Sequence, residues 1–466
     1  MQYFKPAEPD AFAGDAMPCA HDGVFHLFYL LDRGHHRSLG GLGGHQWAHA
    51  STRDLVHWEH HPLAIPITEP WEGSICTGST FVHRGVFYGF YATRHRDHKQ
   101  VLDLAISQDG IHFTKQAPTP MASPGTHTSP YHYRDPCVFH DPATGQFHML
   151  VTAMQATPEL EGYGGYLAHL SSPDLRRWEE GEPGLLSPYP GAPECPDLFE
   201  WNGWTYLLFS HGLTTHYRMI RTTPVGTPVL PAAWMRPAVD ILDSPRAAVM
   251  KTAPFGAGRR IGVAWIGTRE GDRDGGAFQW GGHLLFRELV QHPDGTLGTR
   301  FPPEMIPASG DVLASPRIAL TEGVAYGEGT RGSFDLTAPR RIAAGALLDL
   351  PQDLHIKVRV IPAPHTAEFG LRLRGTGNFS GGYMLRFRPH TGTVSLHDVE
   401  LSAVDGIDRP FDLDIIAQGG IIDVSIDGRR CLVNRLPEQD GSCLFCYCQE
   451  GQVRFEGLEV RPLLTP

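Results

Sequence analysis

Three acidic residues sit in short motifs in the N-terminal half of the chain. Asp15 lies in Gly14-Asp15, Asp135 in Arg134-Asp135-Pro136, and Glu194 in Glu194-Cys195-Pro196. Cleaving a glycosidic bond with retention needs a carboxylate nucleophile. It also needs, roughly 5–5.5 Å away, a carboxylic acid whose raised pKa lets it protonate the leaving oxygen. Aspartate is short and suits attack, whereas glutamate reaches further and suits proton delivery, so Asp15 and Glu194 divide those roles. Asp135 is placed to accept hydrogen bonds from sugar hydroxyls that tighten in the transition state, and Arg134 to hold substrate oxygens. Each motif alone has a plainer reading, as a turn residue, a structural ion pair or a surface acid. Their phase with an internal repeat favours chemistry.

That repeat supplies the elements that would position the acids. A glycine followed by an aromatic-rich strand recurs as Gly23-Val-Phe-His-Leu-Phe-Tyr-Leu30, Gly85-Val-Phe-Tyr-Gly-Phe-Tyr-Ala92, Gly145-Gln-Phe-His-Met-Leu-Val-Thr152 and Gly203-Trp-Thr-Tyr-Leu-Leu-Phe-Ser210. A degenerate fifth copy is Arg260-Ile-Gly-Val-Ala-Trp-Ile-Gly267. The copies stand about 60 residues apart, the period of a repeat architecture. A second marker runs in phase: Ser51 to Trp58, Ser107 to Phe113 and Ser172 to Trp178 each pair a turn-forming Ser and Asp with a closing aromatic. The polar side chains suit local turn bonds and the aromatic suits packing between sheets. Helical periodicity is scarce. Five such units predict a five-bladed β-propeller over residues 1–305, each acid standing just before or at the start of a blade's first strand.

Beyond Pro302-Pro303 the pattern becomes apolar–polar alternation, as in Leu354-His-Ile-Lys-Val-Arg-Val360 and Gly382-Tyr-Met-Leu-Arg-Phe-Arg388. Half-buried antiparallel strands read this way, which predicts a β-sandwich over residues 310–466. The fold class is all-β, and the chemistry is expected in the propeller.

Composition narrows the partners. With 39 Lys and Arg against 51 Asp and Glu, the formal charge is −12. That disfavours nucleic acid and anionic membranes, and leaves a small carbohydrate substrate open. No apolar run has the length of a membrane span, and the first residues do not read as a signal peptide. Eight cysteines fit small buried thiols of a reducing compartment, so a cytoplasmic location is expected, as a monomer or homo-oligomer. Cys443, Cys446 and Cys448 cluster, but no second ligand pair accompanies them and packing is the expected role. The 26 histidines show no metal-ligand spacing, so no cofactor or metal is expected. Gly40 to Gly44 lacks the residues that complete a phosphate cradle, and reads as a loop at the funnel mouth. Gly271 to Gly276 lacks the later glutamate of a calcium loop, and reads as a pocket-wall loop before Trp280.

The motifs also resemble glycoside hydrolase family 32, the invertase, inulinase and levanase group. The matching segments are Phe25 to Tyr29, Trp47-Ala-His-Ala-Ser-Thr-Arg-Asp-Leu-Val-His-Trp-Glu59, Thr77-Gly-Ser79, Arg134-Asp135-Pro136, Glu194-Cys195 and Trp280 to Leu289. The resemblance implies Asp15 as nucleophile, Asp135 as transition-state stabiliser and Glu194 as acid/base, with Cys195 tuning the acid's surroundings. It draws Trp47, Thr77, Gly78, Arg134 and Trp280 into the substrate site. The first motif departs from the family's Asn-Asp-Pro-Asn-Gly, and Leu30 stands where the family has Gln. Asp32, His35 and His36 follow directly as candidate replacements for the lost polar contacts. The implied activity is hydrolysis of terminal β-D-fructofuranosyl or closely related furanosyl residues by double displacement. Two alternatives stay open: an inverting arabinofuranosidase or xylosidase of the family 43 kind, and a carbohydrate-binding propeller without catalysis.

Overall fold

The computed structural model describes residues 2–118, 120–222, 234–313, 318–320, 324–326, 332–377 and 379–464. The fold is all-β, a five-bladed β-propeller followed by a β-sandwich. The chain divides into two compact units, Met1–Gly267 with Gln279–Leu297, and Thr268–Phe278 with Gly298–Pro466.

In the first unit the blades open on the strands Phe12–His21, Glu72–His83, Thr128–Asp141, Glu194–Trp201 and Ala248–Phe255, here blades I to V. Within each blade successive strands pair antiparallel, so the repeating glycine-led segment is always the second strand, hydrogen-bonded to the first. The five first strands touch one another in a closed ring, I to V and back to I. Side chains distant in sequence therefore meet on one axis. Tyr3–Phe4 pairs with the last strand of blade V at Leu285 and Leu284, so the two ends of the propeller sequence share one sheet.

The in-phase marker closes each blade on its predecessor. Asp54, Asp109 and Asp174 each accept two backbone N–H bonds from the residues two and three positions on. The aromatic that follows crosses to the neighbouring blade. Phe113 meets Phe28 at 5.5 Å, Trp178 meets Phe90 at 5.9 Å, and Trp58 meets Phe286 at 5.5 Å. The exposed Asp turn and the half-buried ring are therefore two halves of one device: the turn fixes where the ring packs against the core.

The second unit is built on the long strand Cys443–Pro462, which pairs with Phe334–Leu347, Leu354–Pro362 and Glu368–Gly375. Its core is aliphatic and aromatic and takes in Cys446 and Cys448, both fully buried. Gly271 to Gly276 belongs to this unit rather than to the cavity wall expected for it; the Asp274 carboxylate there accepts from the Tyr383 hydroxyl at 3.1 Å.

Candidate active site

Every first strand of the propeller carries a β-bulge at a comparable position, with a second irregularity in blades II and III, and four of these five bulges contain or adjoin the candidate residues. Register slips by one residue between Ala13 and Ala16, Ile75 and Gly78, Arg134 and Cys137, Glu194 and Asp197, and Ala248 and Lys251. A bulge breaks the alternation of a strand and re-aims the extra side chain. Asp15, Thr77, Asp135 and Cys195 lie inside bulges, and Glu194 opens one. Asp15 and Asp135 therefore fall within their strands, not at strand starts as the sequence suggested. Asp135, Cys195 and Val249 hold left-handed φ values of 57°, 53° and 54°. That conformation is costly for non-glycine residues and persists where surrounding structure enforces it. Proline at 136 and 196 donates no ladder bond, which suits it to a bulge.

The bulges surround a cavity of about 600 Å³ lined by all three acids. Asp15 is 8% exposed. The Thr77 hydroxyl donates to its Oδ2 at 2.6 Å, and the Trp265 indole N–H to its Oδ1 at 2.7 Å. Burial raises the Asp15 pKa above the usual aspartate value and the nearby Asp135 charge adds to this, while the two donors oppose it. Gly14 is dictated by Trp280: a Cβ at position 14 would stand 2.0 Å from the indole Cη2. The departure from the family motif thus admits an aromatic wall beside Asp15.

Asp135 accepts the Thr152 hydroxyl at 2.9 Å and the Cys195 backbone N–H at 3.1 Å, both on Oδ2. Arg134 links the acids, its guanidinium pairing with Glu194 and lying 3.6 Å from Asp135. Glu194 faces the cavity with its side chain 31% exposed. Burial pushes its pKa up, Arg134 opposes that, and the charges of Asp135 and Asp15 reinforce it. The Cys195 Sγ lies 3.6 Å from Asp15 Oδ2. Burial thus raises both acids across one cavity, but Asp15 is held by two donors that favour its ionised form, while Glu194 is the more exposed to the cavity. This division suits one group to attack and the other to give a proton.

The remaining sequence candidates separate into two layers. His36, Thr77, Arg134, Cys195 and Trp280 line the cavity. Asp32, His35, Trp47 and Gly78 lie behind it. Asp32 is fully buried, 3.4 Å from His45 and bonded to the His36 N–H. Burial acts to raise its pKa, but these contacts hold it below the usual range. His35 packs on Phe12, with its Nδ1 3.0 Å from the Trp280 carbonyl. Trp47 donates its indole N–H to the Cys76 carbonyl at 2.9 Å, satisfying a backbone group of the blade II bulge. Gly78 has no room for a side chain, since a Cβ would meet the Phe90 carbonyl at 1.9 Å. Leu30 lines the cavity as an apolar group.

Sequence reasoning missed Trp265, although it stands in the fifth glycine-led copy, where a lone tryptophan among small residues was the available signal. It also missed Tyr131 and His132, on the first strand of blade III, Arg94 and Gln100, on the second and third strands of blade II, and His45, all of which line the cavity. Among the described residues, no group of three or more His, Cys, Asp or Glu side chains is arranged to hold a metal ion.

The propeller–sandwich fold is shared with solved structures. Fructan 1-exohydrolase IIa from Cichorium intybus superposes with a TM-score of 0.74 at 16% identity, covering 99% of this chain and 97% of that one. By sequence, the levanase of Bacillus sp. (strain L7) is 24% identical over 499 residues, spanning 95% of this chain and 50% of the levanase. The raffinose invertase of Escherichia coli is 27% identical over 305 residues, 60% of each protein. The chain thus spans about half to six-tenths of the length of these relatives. The sequence profile of the glycosyl hydrolases family 32 N-terminal domain matches residues 15–295. The chain belongs to glycoside hydrolase family 32.

Proposed function

We propose that the protein is a retaining, exo-acting glycosidase that removes terminal β-D-fructofuranosyl residues from small saccharides, with residues 1–305 as its catalytic part. The observation that carries this reading is that Asp15, held by two donors, and Glu194 face one cavity of a family 32 propeller. In the first step Glu194 gives its proton to the glycosidic oxygen as the bond to the anomeric carbon breaks. Asp15 Oδ attacks that carbon from the opposite face and forms a covalent fructosyl ester. In the second step the Glu194 carboxylate takes a proton from water, whose oxygen attacks the same carbon and releases Asp15. Asp135 accepts hydrogen bonds from ring hydroxyls as charge develops, and Arg134 keeps Asp135 and Glu194 in register. The levanase, raffinose invertase and sucrose-6-phosphate hydrolase descriptions of the relatives support a fructosyl substrate. A cavity of about 600 Å³ suits a terminal sugar and its leaving group. Eight free, buried thiols support an intracellular site of action.

A second substrate is favoured by one observation. Leu30 and the Gly14–Trp280 contact leave the wall beside Asp15 apolar. A β-D-arabinofuranosyl unit, which is β-fructofuranose without one hydroxymethyl group, would need fewer polar partners there. Purified protein incubated with sucrose, short levan and inulin oligosaccharides and β-arabinofuranosides tests both readings. Release of monosaccharide alone supports exo action. Glu194→Gln should lower turnover by about 10²–10⁴-fold, the range of general acid catalysis, while leaving saccharide binding measurable by calorimetry. Unchanged activity in that variant would overturn the assignment of the acid.

A further inference from the structure

Blade V brings no acid to the cavity; its bulge presents Val249 there. The residue that closes this bulge, Lys251, is 3% exposed. Its ammonium donates to the carbonyl of Gly78 at 2.8 Å and to that of Pro196 at 3.0 Å. Among the described residues it forms no ion pair. Both acceptors belong to bulges. Gly78 closes the blade II bulge immediately after Thr77, and Pro196 follows Glu194-Cys195 in the blade IV bulge. A bulge interrupts the ladder, and a buried carbonyl left by it needs a donor from elsewhere. Blades II and IV are separate sheets with blade III between them, so no ladder joins them.

We propose that Lys251 is a positioning residue, whose buried ammonium fastens the blade II and blade IV bulges to blade V and so sets Thr77 against Asp15 and Glu194-Cys195 against the shared cavity. This rests on the hydrolase reading above. The two carbonyls it holds adjoin the residues that matter: Thr77 supplies one of the two strong donors on Asp15, and Cys195 gives its backbone N–H to Asp135. A shift of a few tenths of an ångström in either bulge would lengthen those bonds.

A brace for the fold alone would need donors for these two carbonyls but not a charge. The Lys251 charge acts on the Cys137 and Cys195 thiols, and Asp197 and Arg260 also act on Cys137. Asp197 and Arg260 oppose each other in charge and share the Thr252 hydroxyl. Burial and the three acids push the Cys195 thiol well up, and Lys251 opposes them.

The test is Lys251→Met, compared with wild type on a furanoside the wild type hydrolyses, at a temperature where both are folded by circular dichroism. The expected result is a kcat lower by about tenfold or more with KM within about threefold, the pattern of a group that acts on transition-state geometry. Lys251→Gln keeps N–H donors without the charge. It should recover part of kcat, and it carries the test if the Met variant does not fold. Wild-type kcat and KM in a Met or Gln variant whose only change is a lower Tm would overturn the positioning role alone. A wild type inert toward every furanoside would overturn the hydrolase reading, and this role with it.

Discussion

Thr77→Val isolates the electrostatics of the proposed nucleophile. The Thr77 hydroxyl donates to Asp15 Oδ2 at 2.6 Å inside a buried site, while the Trp265 N–H stays on Oδ1. Valine keeps the branched shape and removes one donor. A hydrogen bond to an ionised group contributes about 1.5–3 kcal/mol, and one pKa unit corresponds to about 1.4 kcal/mol, so losing it should raise the Asp15 pKa by about 1–2 units. Burial already raises that pKa, so the change adds to the existing shift. The assay is kcat/KM against pH on a furanoside substrate. The acid limb, which reports the ionised group of the free enzyme, should move up by about one unit or more. The alkaline limb, assigned to protonated Glu194, should stay in place. Well above the shifted limb, kcat/KM should recover to within about tenfold of wild type. An acid limb that does not move, or a shift confined to the alkaline limb, would refute Asp15 as the group that must be ionised.

Gly14→Ala places a methyl group 2.0 Å from Trp280 Cη2. Overpacking of this kind costs typically about 1–3 kcal/mol, so a lower Tm and a loss of activity are expected together, and an unchanged kcat/KM would contradict the close contact. Acid should destabilise the fold through its buried histidines. His49 is 1% exposed and 3.1 Å from His26, and burial lowers its pKa to about 2. Between pH about 6.5 and the assay pH, the unfolded chain binds a proton there that the folded one refuses. Stability is therefore complete above the unfolded value and falls as pH drops, by about 1.4 kcal/mol per pH unit for this one residue. Urea unfolding at pH 7 and pH 5 should show the loss, and His49→Gln should flatten the pH dependence. An equal slope in both proteins would exclude His49 as its source.

Much of this architecture is legible in the sequence because propeller blades repeat the same solution. The glycine before each second strand, the Asp turn and the closing aromatic recur because every blade must turn, twist and seal against its neighbour. The three acids stand out for the same reason, being tied to the repeat. The bulges are not legible. A single extra residue in a strand leaves the hydrophobic pattern nearly unchanged, and only Pro136 and Pro196 hint at it. Without the bulges the placement of Asp15 and Asp135 within their strands cannot be foreseen. Neither can the separation of His36, which reaches the cavity, from Asp32 and His35, which support it from behind. Trp265, Arg94 and Lys251 were hidden for a related reason. Each acts across blades on a partner far away in the chain, and no local spacing records such a contact. The Gly14–Trp280 contact is of the same kind: the glycine looks like a lost motif until the indole that occupies its space is seen.

The central claim is double displacement by Asp15 and Glu194 at one furanosyl centre. It is tested most directly by following the first turnovers of a β-fructofuranoside by NMR and reading the anomer released before mutarotation. The account predicts the β anomer, by retention. Initial release of the α anomer would mean inversion, recast Asp15 as a base acting on water, and contradict the mechanism.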